Sequence, residues 1–140
     1  VKMPFRLYLY VFITISFYII LNQPVFAETQ YEMAKKAGAE FAKADKELTT
    51  TYNRILKEYR EDKEFIEKMK AAQRAWIKFR DAHIEAVFPA KDKQSEYGSV
   101  FGMCYLIMMQ QMTEARIEQL KLWLKGTEEG DVCAGSIKIK

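Results

Sequence analysis

The sequence is poor in the residues from which small sites are usually built. It has one histidine (His83), two cysteines (Cys104 and Cys133) and four serines in 140 residues. A closed structural zinc site takes four ligands, so these cysteines and the histidine together fall one short. Ser16, Ser95, Ser99 and Ser136 lack the Gly-x-Ser-x-Gly setting that exposes a nucleophile. The six glycines form no phosphate-cradling loop. These gaps argue against the common metal, cofactor and nucleophilic chemistries, so the sequence points to no cofactor, no metal and no enzyme. Proline is scarce too. Beyond Pro24 the chain meets only Pro89, which leaves room for long uninterrupted helices.

Charge of one sign is also missing. The 22 basic and 19 acidic side chains leave a net +3. Lys2 and Arg6 lie in an N-terminal leader that has no acidic residue, so residues 28–140 carry only +1. Nucleic-acid binders show a clear basic excess, and this chain does not.

What is present begins with that leader. Lys2 and Arg6 precede an almost wholly apolar run over residues 7–21, and Asn22-Gln23-Pro24 then breaks it. Val25-Phe26-Ala27 puts a branched and a small residue third and first before a cut. Residues 1–27 therefore read as a removable signal peptide, and residues 28–140 as one exported domain, periplasmic or secreted, with no membrane contact after cleavage. An uncleaved anchor is the other reading, although the run is shorter than the roughly 20 residues that span a bilayer comfortably. The residue directly after Ala27 is Glu28 rather than cysteine, so a lipid anchor at the cut is not expected.

Three apolar stripes of helical period follow. Over residues 30–60 the stripe is Met33, Ala37, Phe41, Ala44, Leu48, Tyr52, Ile55 and Tyr59. Over 63–87 it is Phe65, Met69, Ala72, Trp76, Phe79, His83 and Val87, with Asp62 placed to cap the helix and Pro89 to end it. Over 99–125 it includes Met103, Cys104, Ile107, Met108, Met112, Ile117, Leu120 and Leu124, with Ser99 as cap and Gly126 as stop. Thr49-Thr50-Thr51 lowers helix propensity locally, but the first stripe runs straight through it. The expected fold is all-α: an antiparallel bundle of three long helices. His83 falls on the core side of the second helix, as a packed residue. Arg80 is placed to reach Asp45 across the first two helices, and Arg116 has a similar role on the third.

An even pair of cysteines in an exported protein usually becomes a disulfide. Closing the loop from Cys104 to Cys133 stabilises a fold by about 3–4 kcal/mol on the chain-entropy model. Two free thiols are the alternative. Cys104 lies about 31 Å along a helix from residue 125, and the next eight residues reach at most about 28 Å. The bond therefore requires the tail to fold back nearly straight along the third helix, or that helix to stop early; the fold-back is the expectation.

One segment stands out: Lys70-Ala71-Ala72-Gln73-Arg74-Ala75-Trp76-Ile77-Lys78-Phe79-Arg80-Asp81-Ala82. It resembles the signature of the LprI-type lysozyme-inhibitor family of small exported bacterial proteins. Three further motifs occur in the same order. Ala44-Asp45-Lys46-Glu47-Leu48 with Tyr52 resembles the family's first-helix motif, Tyr97-Gly98-Ser99 its Gly-Ser approach to the third helix, and Thr113-x-x-Arg116-x-x-x-Leu120 its closing motif. The resemblance runs over about residues 31–124. It assigns structural motif roles to Asp45, Leu48, Tyr52, Gln73, Trp76, Phe79, Arg80, Gly98, Ser99, Thr113, Arg116 and Leu120. Family cysteines near the start of the first helix and after the Arg-Asp-Ala string are absent here, which leaves Cys104 and Cys133.

The resemblance implies a protein partner such as lysozyme, held by occluding its cleft. A rigid protrusion over residues 91–97 is the expected instrument, with Lys91 or Lys93 meeting a catalytic carboxylate and Tyr97 beside them. The alternative is an envelope interaction or scaffolding module without lysozyme activity. Its docking patch would use Met108, Met109, Leu122 and Trp123, which widen the apolar band of the third helix. Cleavage after Ala27 predicts that protein recovered from the envelope or medium of an expressing bacterium starts at Glu28. N-terminal sequencing reads this directly; a chain that keeps its leader mass is anchored instead.

Overall fold

A computed structural model of the protein describes residues 29–140. The leader assigned to residues 1–27 lies outside the described residues. The described chain is all-helical. Its four helices are α1 (Gln30–Glu58), α2 (Lys63–Val87), α3 (Lys93–Tyr97) and α4 (Phe101–Lys125). An isolated bridge between Thr127 and Ile139 belongs to no strand.

Each boundary has a local cause. Thr29 opens α1 with a reciprocal cap: its hydroxyl accepts from Glu32 N at 3.2 Å, and its own N–H donates to the Glu32 carboxylate at 2.9 Å. The threonine run does not break the helix, because Thr50 Oγ1 donates to the Lys46 carbonyl at 2.9 Å and Thr51 is buried. Asp62 caps α2 by accepting from Phe65 N at 2.9 Å. Pro89 follows the end of α2 closely. Ser99 does not cap α4. The cap position is Val100, without a side-chain bond, and Ser99 Oγ instead meets the Gln30 side chain at 2.8 Å. Gly126 ends α4 at φ +82°, and a Cβ there would stand 2.8 Å from the Lys138 carbonyl, so only glycine fits.

Paired contacts give the directions. Gln30 meets Ser99, and Tyr59 Oη donates to the Trp123 carbonyl at 3.2 Å. The start of α1 thus lies at the start of α4, and their ends coincide, so the two run parallel. In α2, Phe65 lies beside Tyr59 and Trp123, with centroids 4.4 and 6.3 Å away, while Gln73 meets Arg116 further up. Helix α2 therefore runs against α4. The main core joins Leu48, Ile55 and Tyr59 of α1, Phe65 and Met69 of α2, and Ile117 and Leu120 of α4. Removing these side chains from water is the dominant favourable contribution to folding.

Two expectations require correction. The first is the orientation of α2. Its inward line is Phe65, Met69, Gln73, Trp76, Arg80 and Ile84, not the all-apolar stripe. His83 is exposed, and Phe79 is 58% exposed. The cause is that Gln73 and Arg80 find partners inside, so two polar residues occupy positions that hydropathy alone gave to Ala72, Phe79 and His83.

The second is the disulfide. Both thiols are free, Cys104 half-buried and Cys133 exposed. The tail does not run back along α4. Thr127 N donates to the Lys138 carbonyl and Lys140 N to the Thr127 carbonyl, each at 3.0 Å, closing the tail into a loop. Lys138 N donates to Tyr59 Oη, Lys138 Nζ donates to the Glu58 carbonyl, and Trp123 Nε1 donates to Ser136 Oγ. These bonds hold Cys133 at the C-terminal end of α4, whereas Cys104 is in that helix's first turn.

Adjacent residues test the orientation of α2. Ile84→Ala is expected to destabilise by about 2–5 kcal/mol, the usual cost of emptying a buried site, and His83→Ala to stay within about 0.5 kcal/mol. Urea unfolding of the two variants separates this register from the all-apolar one.

Candidate functional site

Of the family-motif residues, Asp45, Leu48, Tyr52, Gln73, Trp76, Arg80 and Arg116 come together where α2 meets its neighbours, whereas Phe79, Gly98 and Ser99 do not. Two guanidinium groups lie over Trp76: Arg80 Cζ is 5.3 Å from its ring centroid and Arg116 Cζ 5.9 Å. Arg116 Nε donates to Gln73 Oε1 at 3.1 Å, and a second guanidinium nitrogen donates to Gln119 Oε1 at 3.1 Å. Burial pushes the Arg116 guanidinium down from its ordinary value, but an arginine remains charged. Gln73 is itself buried, so this bond satisfies an amide oxygen that would otherwise be costly to bury.

Asp45, Leu48, Thr49 and Tyr52 of α1 face Gln73, Ile77 and Arg80 of α2 across a groove of about 240 Å³. The expected Arg80–Asp45 ion pair is not formed, although both residues line this groove. Arg80 reaches its chain neighbour Asp81 instead, at 2.9 Å. Leu48 and Leu120 are core residues, and Tyr52 packs against that core. Thr113 is fully buried, and its hydroxyl has no hydrogen-bond partner among the described residues. Phe79 stands apart from the cluster on the outer face of α2.

The other candidate surface is the corner between α2 and α4. Residues 91–97 are not an open loop. Asp92 accepts from Ser95 N at 3.0 Å and starts α3. Gly98 follows at φ +70°, in the left-handed region that favours glycine. Lys93 Nζ is held by Glu85 at 2.8 Å and by the Ala90 carbonyl at 3.2 Å. Tyr97 Oη accepts from Ala90 N at 3.2 Å. Its ring packs in a row with Phe88, Phe101 and Tyr105, at centroid spacings of 5.2–6.0 Å. Lys93 and Tyr97 thus brace the corner, whereas Lys91 is exposed and pairs with no carboxylate among the described residues. The sequence reading missed this aromatic row. Phe88, Tyr97, Phe101 and Tyr105 flanking one short polar segment were the available signal.

The patch expected on α4 does not form. Met109 is buried, Met108 and Trp123 are half-buried, and only Leu122 of the four is exposed. Among the described residues, no group of three or more histidine, cysteine or acidic side chains could hold a metal. No helix among them is long and apolar enough to cross a membrane.

Fold and motif residues together define a small all-helical protein in which Gln73, Trp76 and Arg116 link α2 to α4. The family model described as "Lysozyme inhibitor LprI" matches residues 22–120, and the chain belongs to that family. No curated protein and no solved structure matches the chain.

Arg116→Ala is expected to destabilise by about 1–3 kcal/mol, because Gln73 is left buried without its donor. Arg116→Lys should recover little of that loss, since an ammonium neither stacks flat on Trp76 nor presents a planar fork. Thermal unfolding of both variants measures the difference.

Proposed function

We propose that this chain is an exported bacterial binding protein, not an enzyme, that inhibits lysozyme by filling its cleft from a scaffold of three long antiparallel helices. The observation that carries the reading is the family match over residues 22–120. The leader-like residues 1–27 support export. Lysozyme cleaves with two carboxylates in a groove, and a rigid protein edge bearing a free cation suits such a groove.

The α3 corner has these properties. Its cap, the Lys93 brackets and the aromatic row pre-organise it, so little ordering cost falls on binding. Lys91 projects there without a carboxylate partner among the described residues and is the side chain assigned to a lysozyme carboxylate. A net charge of +1 on residues 28–140 supplies no long-range steering toward a basic enzyme. Association therefore relies on local fit.

A turbidity assay of cell-wall lysis tests the proposal. The protein in excess should slow lysis, and Lys91→Ala should weaken inhibition about tenfold or more, as expected for truncating one partner of a desolvated charge pair. Undiminished lysis at excess protein removes the reading. The alternative of an envelope scaffolding module then draws its support from Ile77 and Phe79, both exposed on α2.

A further inference from the structure

Helix α2 has an outer stripe that no other described element covers. Ala75, Phe79, Ala82 and Ala86 follow one another at steps of 4, 3 and 4, and all are exposed. Beside them, at the same steps, run Arg74, Lys78, Asp81 and Glu85. Along the chain this flank reads two cations and then two anions. Read from the other end, the order inverts, so the flank is complementary to an antiparallel copy of itself.

Symmetry makes the match specific. A two-fold axis normal to the plane of an antiparallel helix pair keeps each flank on its own side, so like flanks meet. With the axis beside Phe79, Lys78 stands level with the partner's Asp81, and Arg74 with the partner's Glu85. The two Phe79 rings meet near the axis, and the small Ala75 and Ala82 let the helices approach closely. Arg74 and Lys78 are exposed and pair with no carboxylate among the described residues. Asp81 and Glu85 already accept from Arg80 and Lys93, but their side chains are 55% and 62% exposed, leaving room for a second donor. Arg80 is turned inward onto Trp76, so two arginines do not meet at the axis.

We propose that a second copy of this chain docks antiparallel along the outer face of α2, seating Phe79 on its symmetry mate and pairing the Arg74–Lys78–Asp81–Glu85 flank with itself. One helix face per partner makes a small interface, so association is reversible and concentration-dependent. The dimer rests on Phe79 and its charged flank rather than on Lys91, although Glu85 at one end of that flank also holds Lys93 of the corner, and it does not depend on lysozyme being the target.

Analytical ultracentrifugation of the full described chain tests it. The protein should pass from one to two chain masses as concentration rises, and return toward one as salt screens the flank. Lys78→Asp and Asp81→Lys each place like charges at both symmetric contacts and should weaken self-association about tenfold or more. Mixed in equal amounts, the two variants regain opposite charges at both contacts, so the dimer mass should return. Circular dichroism checks that each variant keeps its helices. The proposal is overturned if the wild type stays at one chain mass throughout, if the mixture associates no better than either variant alone, or if Phe79→Ser leaves the dimerisation constant unchanged.

Discussion

The arrangement of α2 depends on one polar contact, the bond from the Arg116 guanidinium to the Gln73 amide over the face of Trp76. A purely hydrophobic helix face is tolerant of small rotations, because apolar contacts have little direction. A guanidinium N–H on an amide oxygen is directional, and its partner is buried. Once Gln73 must face Arg116, the rotation of α2 about its axis is set. Trp76 and Arg80 follow on the inner side, and Phe79 and His83 are carried outward. This is the role best attested for buried polar groups: they select one register among several that hydrophobic burial alone would accept.

A second polar knot serves the opposite end. Tyr59 links three segments at once, donating to the Trp123 carbonyl, accepting from Lys138 N and stacking on Phe65. The Lys138 ammonium lies 4.2 Å from the Tyr59 ring centroid while donating to the Glu58 carbonyl. Such bonds satisfy carbonyls left open at a helix end. They also give the tail an anchor that needs no covalent staple. The tail can then close on itself, with Gly126 as the pivot.

Legibility in the sequence tracked how far hydropathy alone governs each element. The stripe of α1 was read well: Ala37, Ala44, Leu48, Ile55 and the following Tyr59 are all buried, because most of the large apolar residues there, Tyr31 excepted, fall on one side. Helix α4 was read in part. Ile117 and Leu120 are core residues as expected, but Met109 and the hydroxyl-bearing Thr113 are buried too, and apolar residues spread around the first half of that helix blur its inner face. Helix α2 was misread because its inner line includes Gln73, whose partner Arg116 comes from another element and leaves no periodic trace, and Arg80, which lies over Trp76 of the same helix. Helix α3 is only five residues long, too short for a period to show. At the corner, the polar character of residues 91–97 was legible, but not the short helix α3 or the bonds that occupy Lys93 and Tyr97.

The parallel pairing of α1 with α4 has a consequence for how the chain must be made. Gln30 and Ser99 touch across 69 positions of sequence, so the helix synthesised first has as its main neighbour the helix synthesised last. A nascent chain cannot bury the α1 stripe until most of α2 and α4 has emerged, and contacts of that span slow folding. The polypeptide thus stays open during elongation, its first amphipathic helix uncovered until the last one is made, and such transiently exposed apolar surface is where a nascent chain is prone to aggregate.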